Sequence, residues 1–441
     1  MKVTDMGNEA AQEEHLTNAD GRVHGGWRST FGATAALSVG ASTCTIMCFG
    51  VFVPYLHRAF GWGIGAISLA ATLLSISVMV VSPIQGLLVD RFGARRIIMI
   101  SIPLFGLAYA AMSQLSGQID QFYLMWVLVP LLGFGVWPSS YMKVVSGWFD
   151  ERLGLAIGIA NVGIGIGSAV LPAMIGAIAN AYGWRMAYVA VGVLSVAIAW
   201  PCAYYFVFER DSPGRIPSKS PGEQAPGGRT GAVVGVSVRE AWTDGAFWKI
   251  LISFLLLGAG STTLLVNQVA ILVDNGMPVP SAVVMQSVIG MSTLFARLFV
   301  GWLLDRVEVK FVMPVLSLSG AAAMLLYAGG ATGMIAALCA VLVGIMTGAE
   351  FSVLGYALRR YFGPRVMGTL FGTVFAIFQL GSAIATGLVG YARGHTGSYQ
   401  TSLYFLAAAT ALTALLMCML GPYRFLDRRR PVLVETQSAS V

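Results

Sequence analysis

Twelve long apolar segments constrain the fold of this chain more than any other feature of its sequence. Hydrophobic residues make up 56% of the 441 residues and charged residues only 11%, against about a quarter in soluble proteins. A helix needs about 20 apolar residues to cross a bilayer. Runs of this kind cover residues 31–56, 64–89, 97–115, 121–145, 154–179, 184–208, 246–273, 280–304, 311–329, 333–357, 366–392 and 399–421. The sequence predicts an all-α integral membrane protein with twelve transmembrane helices, which argues against a soluble enzyme.

Lysine and arginine are distributed unequally between the two sides that the alternating spans define. Of the 27 basic residues, 23 fall on one side and three on the other, and Arg297 lies within a span. Membrane proteins concentrate these residues on cytoplasmic loops. We therefore expect a multi-pass protein of the cell membrane (inner or plasma) with both termini in the cytoplasm. The net charge of +7 then reflects topology, and no nucleic-acid partner is expected.

A polar stretch rich in Pro, Gly and Ser divides the twelve spans into six and six. Such a composition is typical of a flexible linker. The predicted parts are a cytoplasmic N-tail, a first six-helix bundle, a cytoplasmic linker, a second six-helix bundle and a cytoplasmic C-tail, at residues 1–30, 31–208, 209–245, 246–421 and 422–441.

The two halves repeat each other. The second and eighth spans both end in the pattern G-x-x-x-D-R, 215 positions apart, at Gly86, Asp90 and Arg91 and at Gly301, Asp305 and Arg306. A second set recurs at an offset of 214, with Gly167-Ser168-Ala169 matching Gly381-Ser382-Ala383. Two halves of the same hand imply a pseudo-two-fold axis along the membrane normal.

The first of these motifs, which continues through Gly93, Arg95 and Arg96, resembles the signature of the major facilitator superfamily. The second copy departs from it, because Glu308 stands where the second glycine would be. The resemblance implies the major facilitator fold, in which two pseudo-symmetric six-helix bundles rock about a central site. It also implies a gating role, through charge pairs that form in one conformation, for Gly86, Asp90, Arg91, Gly93, Asp305 and Arg306. The alternative is that the basic residues only fix the topology.

Within that superfamily the chain is similar to the monocarboxylate porters and the oxalate/formate antiporter group. The similarity is carried by Gly50-Val51-Phe52 in the first span, Trp148, Phe149, Arg152 and Gly154 before the fifth, and a lone arginine in the eighth. It implies that Arg297 holds a substrate carboxylate. Thr293 and Met47 replace the aspartate and lysine of the animal porters, so their proton relay does not transfer unchanged.

Arg297 is the most informative single residue. An arginine inside a span costs at least about 2.5 kcal/mol, and its helical stripe is otherwise small or polar, with Gln286, Gly290, Thr293 and Gly301. A water-filled cavity or a structural ion pair would explain it. Glu350, at similar depth in the tenth span, is the candidate proton-coupling residue, and the alternative is that it only neutralises Arg297.

Other polar and aromatic residues within the spans complete the predicted substrate-binding group. They are Thr293, Asn161, Trp137, Tyr141, Asn267, Gln268 and Gln379, of which Asn161 and the two aromatic residues have packing as their alternative role.

These residues favour a secondary transporter of a small organic monoanion, driven by protons through rocker-switch alternating access. The alternatives are a transporter of a larger neutral or amphipathic compound, such as a vitamin or drug, and a non-transporting nutrient sensor. No enzyme activity, cofactor or metal is expected. The expected partners are an organic acid, protons and the lipid bilayer, and the expected state is a monomer.

Overall fold

The structure, a computed structural model, describes residues 25–149, 152–209 and 236–423. Both predicted tails, apart from their innermost residues, and most of the predicted linker lie outside the described residues. The described parts are helical and contain no strand. The N-terminal half contains α1 (Gly25–Met47), α2 (Phe49–Phe60), α3 (Ile64–Phe92), α4 (Ala94–Ala111), α5 (Ile119–Leu132), α6 (Pro138–Trp148), α7 (Leu153–Tyr182) and α8 (Trp184–Phe206).

The C-terminal half follows a short helix, α9 (Val238–Thr243). It contains α10 (Gly245–Asp274), α11 (Val279–Leu304), α12 (Val309–Ala328), α13 (Gly333–Phe362), α14 (Met367–Thr396) and α15 (Gln400–Cys418). Eleven helices of the described residues are long and apolar enough to cross a membrane, and α5 is a shorter apolar helix at the fourth predicted span. The all-helical membrane fold of the prediction is thus confirmed.

The fourth predicted span is not one continuous helix. It consists of α5, a 3₁₀ turn at Phe134–Val136 and α6. A Cβ at Gly135 would lie 2.6 Å from the Ser101 hydroxyl oxygen of α4, so the chain passes that helix at a distance only glycine permits. Pro138 then begins the next helix, because its missing N–H is harmless in a first turn.

The first predicted span is also interrupted. Its helix is already present at Gly25, inside the predicted N-tail, and ends in a π-helical turn at Thr43–Met47 before α2 begins. The Thr43 hydroxyl donates to the Leu37 oxygen at 2.8 Å. Side-chain hydroxyls that bond nearby carbonyl groups compete with regular helix, which hydropathy alone does not reveal.

The last part of the predicted linker is not a flexible connection, because the short helix α9 lies inside it. Ser237 and Glu240 form a capping box at its N-terminus, in which each side chain bonds the other residue's backbone N–H. The N–H of Val236 also donates to the Phe362 oxygen at the end of α13. This last part of the predicted linker is therefore ordered against the C-terminal half.

The halves meet where α3 packs on α14 and α7 packs on α11. We call the end of the molecule at which α3, α11 and α13 finish and α7 and α14 begin the basic end, because Arg91, Arg306, Arg359 and Arg360 lie there. The other end is called the opposite end.

Candidate functional site at the interface of the halves

Arg297 of α11 points from the C-terminal half towards the N-terminal half. Its residue is 9% exposed, whereas its neighbours Phe295 and Phe299 are 65% and 60% exposed on the outer surface. Arg297 Nη1 donates to the backbone oxygen of Asn161 on α7 at 2.6 Å. This is its one hydrogen bond within the described part of the chain. The other guanidinium donors have no hydrogen-bond partner among the described residues.

The stripe of α11 that carries Arg297 opens towards the opposite end. A Cβ added at Gly290 would meet no atom within 4 Å. Nearer the basic end, the Thr293 hydroxyl lies 3.2 Å from the Thr347 hydroxyl of α13. A Cβ at Gly301 would lie 2.6 Å from the Gly154 oxygen of the other half. Space is therefore left beside Gly290, whereas the backbones of the two halves touch beyond Arg297.

Glu350 of α13 is a second ionisable group near this interface. It is 5% exposed, and its Oε2 atom has no hydrogen-bond partner. The ion pairs within 4.0 Å that the described residues form do not include one between Glu350 and Arg297. Buried polar atoms nearly always have a partner, so Oε2 marks a position for a water molecule or a bound proton.

Asn161 and Trp137 of the N-terminal half face the C-terminal half. Asn161 Nδ2 donates to the Ser352 hydroxyl of α13 at 3.2 Å, and its Oδ1 has no partner. The Trp137 ring lies 6.3 Å from the Phe375 ring of α14. The sequence did not indicate a role for Ser352, since a serine within a transmembrane span usually serves helix packing.

The remaining predicted substrate residues are not brought to Arg297 by any contact. Asn267 Nδ2 donates to the Thr263 oxygen of its own helix. Gln268 Nε2 donates to the Tyr327 hydroxyl inside the C-terminal half, so we remove it from the substrate group. Tyr141 is fully buried with an unpartnered hydroxyl, and Gln379 is buried on α14.

Two aspartates close the basic end by binding the first turns of helices in the other half. Asp90 accepts from the N–H groups of Gly368 and Thr369 at 3.1 and 2.7 Å and from the Thr369 hydroxyl. Asp305 accepts from the N–H groups of Gly154 and Leu155 at 2.7 and 2.9 Å. A carboxylate is favourable there, because the N-terminus of a helix carries partial positive charge. We call these contacts the Asp90 latch and the Asp305 latch.

Glycines make this approach of the helices possible. A Cβ at Gly86 would lie 2.2 Å from the Gly368 oxygen, and one at Gly154 would lie 2.2 Å from the Gly301 oxygen. Neither distance is compatible with a real side chain. The Asp90 latch and the Asp305 latch therefore form only because backbones touch at these two crossings.

Arg91 and Arg306, which we expected to pair with acids, do not do so within the described residues. Each is exposed and stacks on an aromatic ring close to it in sequence, Arg91 on Phe92 and Arg306 on Trp302. The ion partner of Asp90 is instead Lys143 of α6, at 2.7 Å. Sequence reasoning missed Lys143 because its partner lies in another helix.

Gly93 and Glu308 occupy the same position in the two copies of the motif, and their backbone conformations differ, as the change of residue type suggests. Gly93 has φ +90°, and the Glu209 carboxylate sits over it and accepts from the Ala94 N–H. Glu308 has φ −64°, which any residue adopts. The turn of the second copy is thus built without a left-handed residue.

Burial raises the pKa of the Asp305 carboxyl above its usual value, and the hydrogen bonds from Leu155 and Gly154 and the nearby charges of Arg360 and Arg306 only partly offset this. The carboxyl of the closed Asp305 latch therefore takes up a proton at a higher pH than a solvated aspartate does.

A third contact at the basic end is made by Arg359 of α13. Its Nε donates to the Ser146 oxygen in the last turn of α6 at 3.1 Å, where a cation suits the helix C-terminus. The Ser146 hydroxyl also lies 2.8 Å from Met367 Sδ. The hydrogen bonds between the halves in the described residues all lie in the basic half of the spans or midway along them.

The family follows from a sequence comparison. The model described as Major Facilitator Superfamily matches residues 35–386. The chain belongs to this superfamily. Two relatives are an uncharacterized 38 kDa protein of Thermoproteus tenax, 28% identical over 89% of this chain and 96% of its own length, and monocarboxylate transporter 13 of Bos taurus, 26% identical over 88% of each.

A solved major facilitator structure agrees with the fold. The proton:xylose symporter XylE is 13% identical, with a TM-score of 0.68 over 90% of this chain and 96% of its own. That likeness supports the architecture alone. This major facilitator protein is accordingly a multi-pass membrane transporter for a small molecule and not an enzyme.

The Lys143–Asp90 pair offers a stability test in this transporter. We expect Lys143→Met to lower the free energy of unfolding by about 1–3 kcal/mol, because the substitution leaves the mostly buried Asp90 carboxylate without its cation. Lys310→Met, which breaks the more exposed pair with Glu308, should cost about 0–1 kcal/mol. Thermal unfolding of both variants in detergent measures the difference, and equal shifts would contradict the role of Lys143.

Proposed function

We propose that this chain is a proton-coupled secondary transporter of a small organic monoanion, working by rocker-switch alternating access. One observation carries the proposal: Arg297 is a buried cation at the interface of the halves with a single hydrogen bond. Arginine binds carboxylates through two parallel N–H···O bonds. The similarity to the monocarboxylate transporters supports the same class of substrate.

The charge near the site favours one negative charge on the substrate. Arg297 supplies one positive charge, and Glu350 supplies a carboxyl group on the neighbouring helix. A dianion such as oxalate would add two negative charges where a single guanidinium is available, and unpaired buried charges are costly. A lone carboxylate with an apolar body matches the site better.

Proton coupling follows from competition for Arg297. When a substrate carboxylate binds the guanidinium, an ionised Glu350 would repel it at close range. Protonation of Glu350 removes that repulsion, so substrate and proton favour each other's binding. The unpartnered Oε2 atom of Glu350 leaves a position for this proton. In the proposed cycle, release of either ligand weakens binding of the other.

Alternating access would operate through the Asp90 latch and the Asp305 latch. With the basic end in the cytoplasm, as the distribution of Lys and Arg suggests, the structure corresponds to closure towards the cytoplasm and an opening beside Gly290 towards the outside. Both termini would then be cytoplasmic, and the protein would lie in the cell inner or plasma membrane. A monomer would suffice for this cycle, because a single chain contains both bundles.

The proposal is tested by uptake into proteoliposomes with an imposed pH gradient. A panel of radiolabelled solutes should show accumulation of monocarboxylates, poor uptake of oxalate, and loss of accumulation when a protonophore collapses the gradient. Accumulation of a neutral vitamin-like compound without competition from monocarboxylates would instead support the alternative function.

A further inference from the structure

A line of buried polar groups runs through the C-terminal half, apart from the interface of the halves. Gln268 of α10 is 0% exposed; its Nε2 donates to the Tyr327 hydroxyl at 3.0 Å, and its Oε1 has no partner. Ser261, seven residues earlier on the same helix, has an unpartnered hydroxyl and lies near the Glu350 carboxyl.

By strict hydrogen-bond geometry three buried oxygen atoms of the described residues in this region lack partners, on Ser261, Gln268 and Glu350, although Ser261 and Glu350 lie close enough to interact with each other. Such atoms are rare in folded proteins, and ordered water commonly satisfies them. Several of them together between the same packed helices, α10 and α13, indicate a shared set of water molecules.

The directions of the side chains bring these groups towards each other. Helical side chains lean towards the N-terminus of their helix. Because α10 begins at the basic end and α13 ends there, Gln268 leans towards the basic end and Glu350 towards the opposite end. The backbone separation of Ser261 and Gln268 is about 10 Å along the axis, which their side chains shorten and which water molecules would have to bridge.

The line reaches a cavity at the opposite end. This cavity has a volume of about 460 Å³ and is lined by Asp274, Asn275 and Tyr327 among others. Asn275 Nδ2 donates to the Tyr327 oxygen at 2.9 Å, and Asp274 pairs with Arg393 at the rim. A polar space of this size holds many waters, so Tyr327 stands between water and Gln268.

We propose that protons reach Glu350 through this line, from the cavity past Tyr327, Gln268 and Ser261, by a route separate from the substrate opening beside Gly290. The inference rests on the proposed function, because it assumes that Glu350 exchanges protons during transport. The substrate and its proton then enter the transporter through different parts of the molecule.

The transfer needs no other reactant. A hydronium ion in the cavity gives a proton to the next water, each water accepts one proton and releases another, and the last O–H bond forms on the Glu350 carboxylate. Gln268 Oε1 and Ser261 Oγ accept hydrogen bonds that hold the waters and are not themselves protonated. The charged group facing Glu350 is Arg297 of α11, and the Cys339 thiol lies near Tyr327.

The test separates proton movement from substrate movement in proteoliposomes. Substrate exchange at equal pH requires no net proton transfer, whereas accumulation driven by a pH gradient requires it. We expect Gln268→Met, Tyr327→Phe and Ser261→Ala to lower driven accumulation about tenfold, the effect of losing one hydrogen bond that holds the line of waters, and to keep exchange within about twofold. Ser253→Ala is the matched control, since that serine of α10 also has an unpartnered hydroxyl but lies nearer the basic end.

Equal losses of exchange and accumulation, or no loss of either, would overturn the route through the C-terminal half. If the wild-type protein shows no proton-driven uptake, the proposed function fails. A high-resolution experimental map then decides the route independently. Ordered waters between Gln268, Ser261 and Glu350 are expected, and a dry gap would refute the proposed line.

Discussion

Arg297→Gln is expected to abolish saturable uptake of monocarboxylates. The glutamine keeps an N–H donor on a shorter side chain but removes the charge, so the carboxylate loses its charge-assisted bidentate partner. Hydrogen bonds to charged groups contribute about 1.5–3 kcal/mol each, and two of them amount to a loss of affinity of roughly 100-fold or more. Uptake of labelled acid over a range of concentrations measures the change.

Arg185→Gln is the matched control for this substitution. Arg185 also donates to backbone oxygens, those of Ser113 and Leu115 at 3.1 and 3.2 Å, but it lies at the opposite end of the N-terminal half. Its loss should leave the affinity for substrate unchanged. Normal uptake by Arg297→Gln, at a normal level of folded protein, would exclude the carboxylate role of Arg297.

Gly86→Ala combined with Gly154→Ala is expected to prevent closure of the basic end. Each added Cβ would overlap a backbone oxygen at 2.2 Å, and a backbone contact cannot yield as a side chain can. Overpacking costs about 1–3 kcal/mol per site, which together shifts the conformational balance roughly 30-fold or more. Alanine favours helix over glycine, so the separate bundles should fold.

Cross-linking between cysteines at positions 146 and 367, in a background without native cysteines, reports this closure, because Ser146 and Met367 touch across the halves. The double variant should lose the cross-link and its transport activity. Gly65→Ala on the same helix α3 is the control, since its Cβ would meet no atom within 4 Å. A cross-link of undiminished yield in the double variant would contradict the tight glycine crossings.

Sequence patterns predicted the helical membrane fold and the superfamily, because both follow from apolar run lengths and a repeated motif. They also indicated that Arg297 belongs inside the protein, since a charge within a long apolar run is costly wherever it faces lipid. The interruptions at Thr43–Met47 and Phe134–Val136 could not be predicted in the same way. They depend on which carbonyl a hydroxyl bonds and on how near another helix passes, and hydropathy measures neither.

Asp90 and Asp305, which we predicted as gating residues, lie where the halves cross, but their contacts there differ from the predicted charge pairs. We expected side-chain charges, and Asp90 and Asp305 bind backbone N–H groups instead. A backbone N–H exists at every residue except proline, so the residue type does not indicate which N–H groups will bind an aspartate. Lys143 could be interpreted from sequence only as a topological residue, because only the folded chain brings it to Asp90.

The Asp90 latch and the Asp305 latch are reciprocal, because each half binds the other in the same way. Each half contributes one acidic helix end and one receiving helix N-terminus, which is the pattern of an isologous dimer. A single six-helix subunit would therefore carry every group needed to seal a two-fold assembly of itself. In the present chain the two copies differ, since Glu308 stands where the first copy has Gly93 and Lys143 pairs with Asp90.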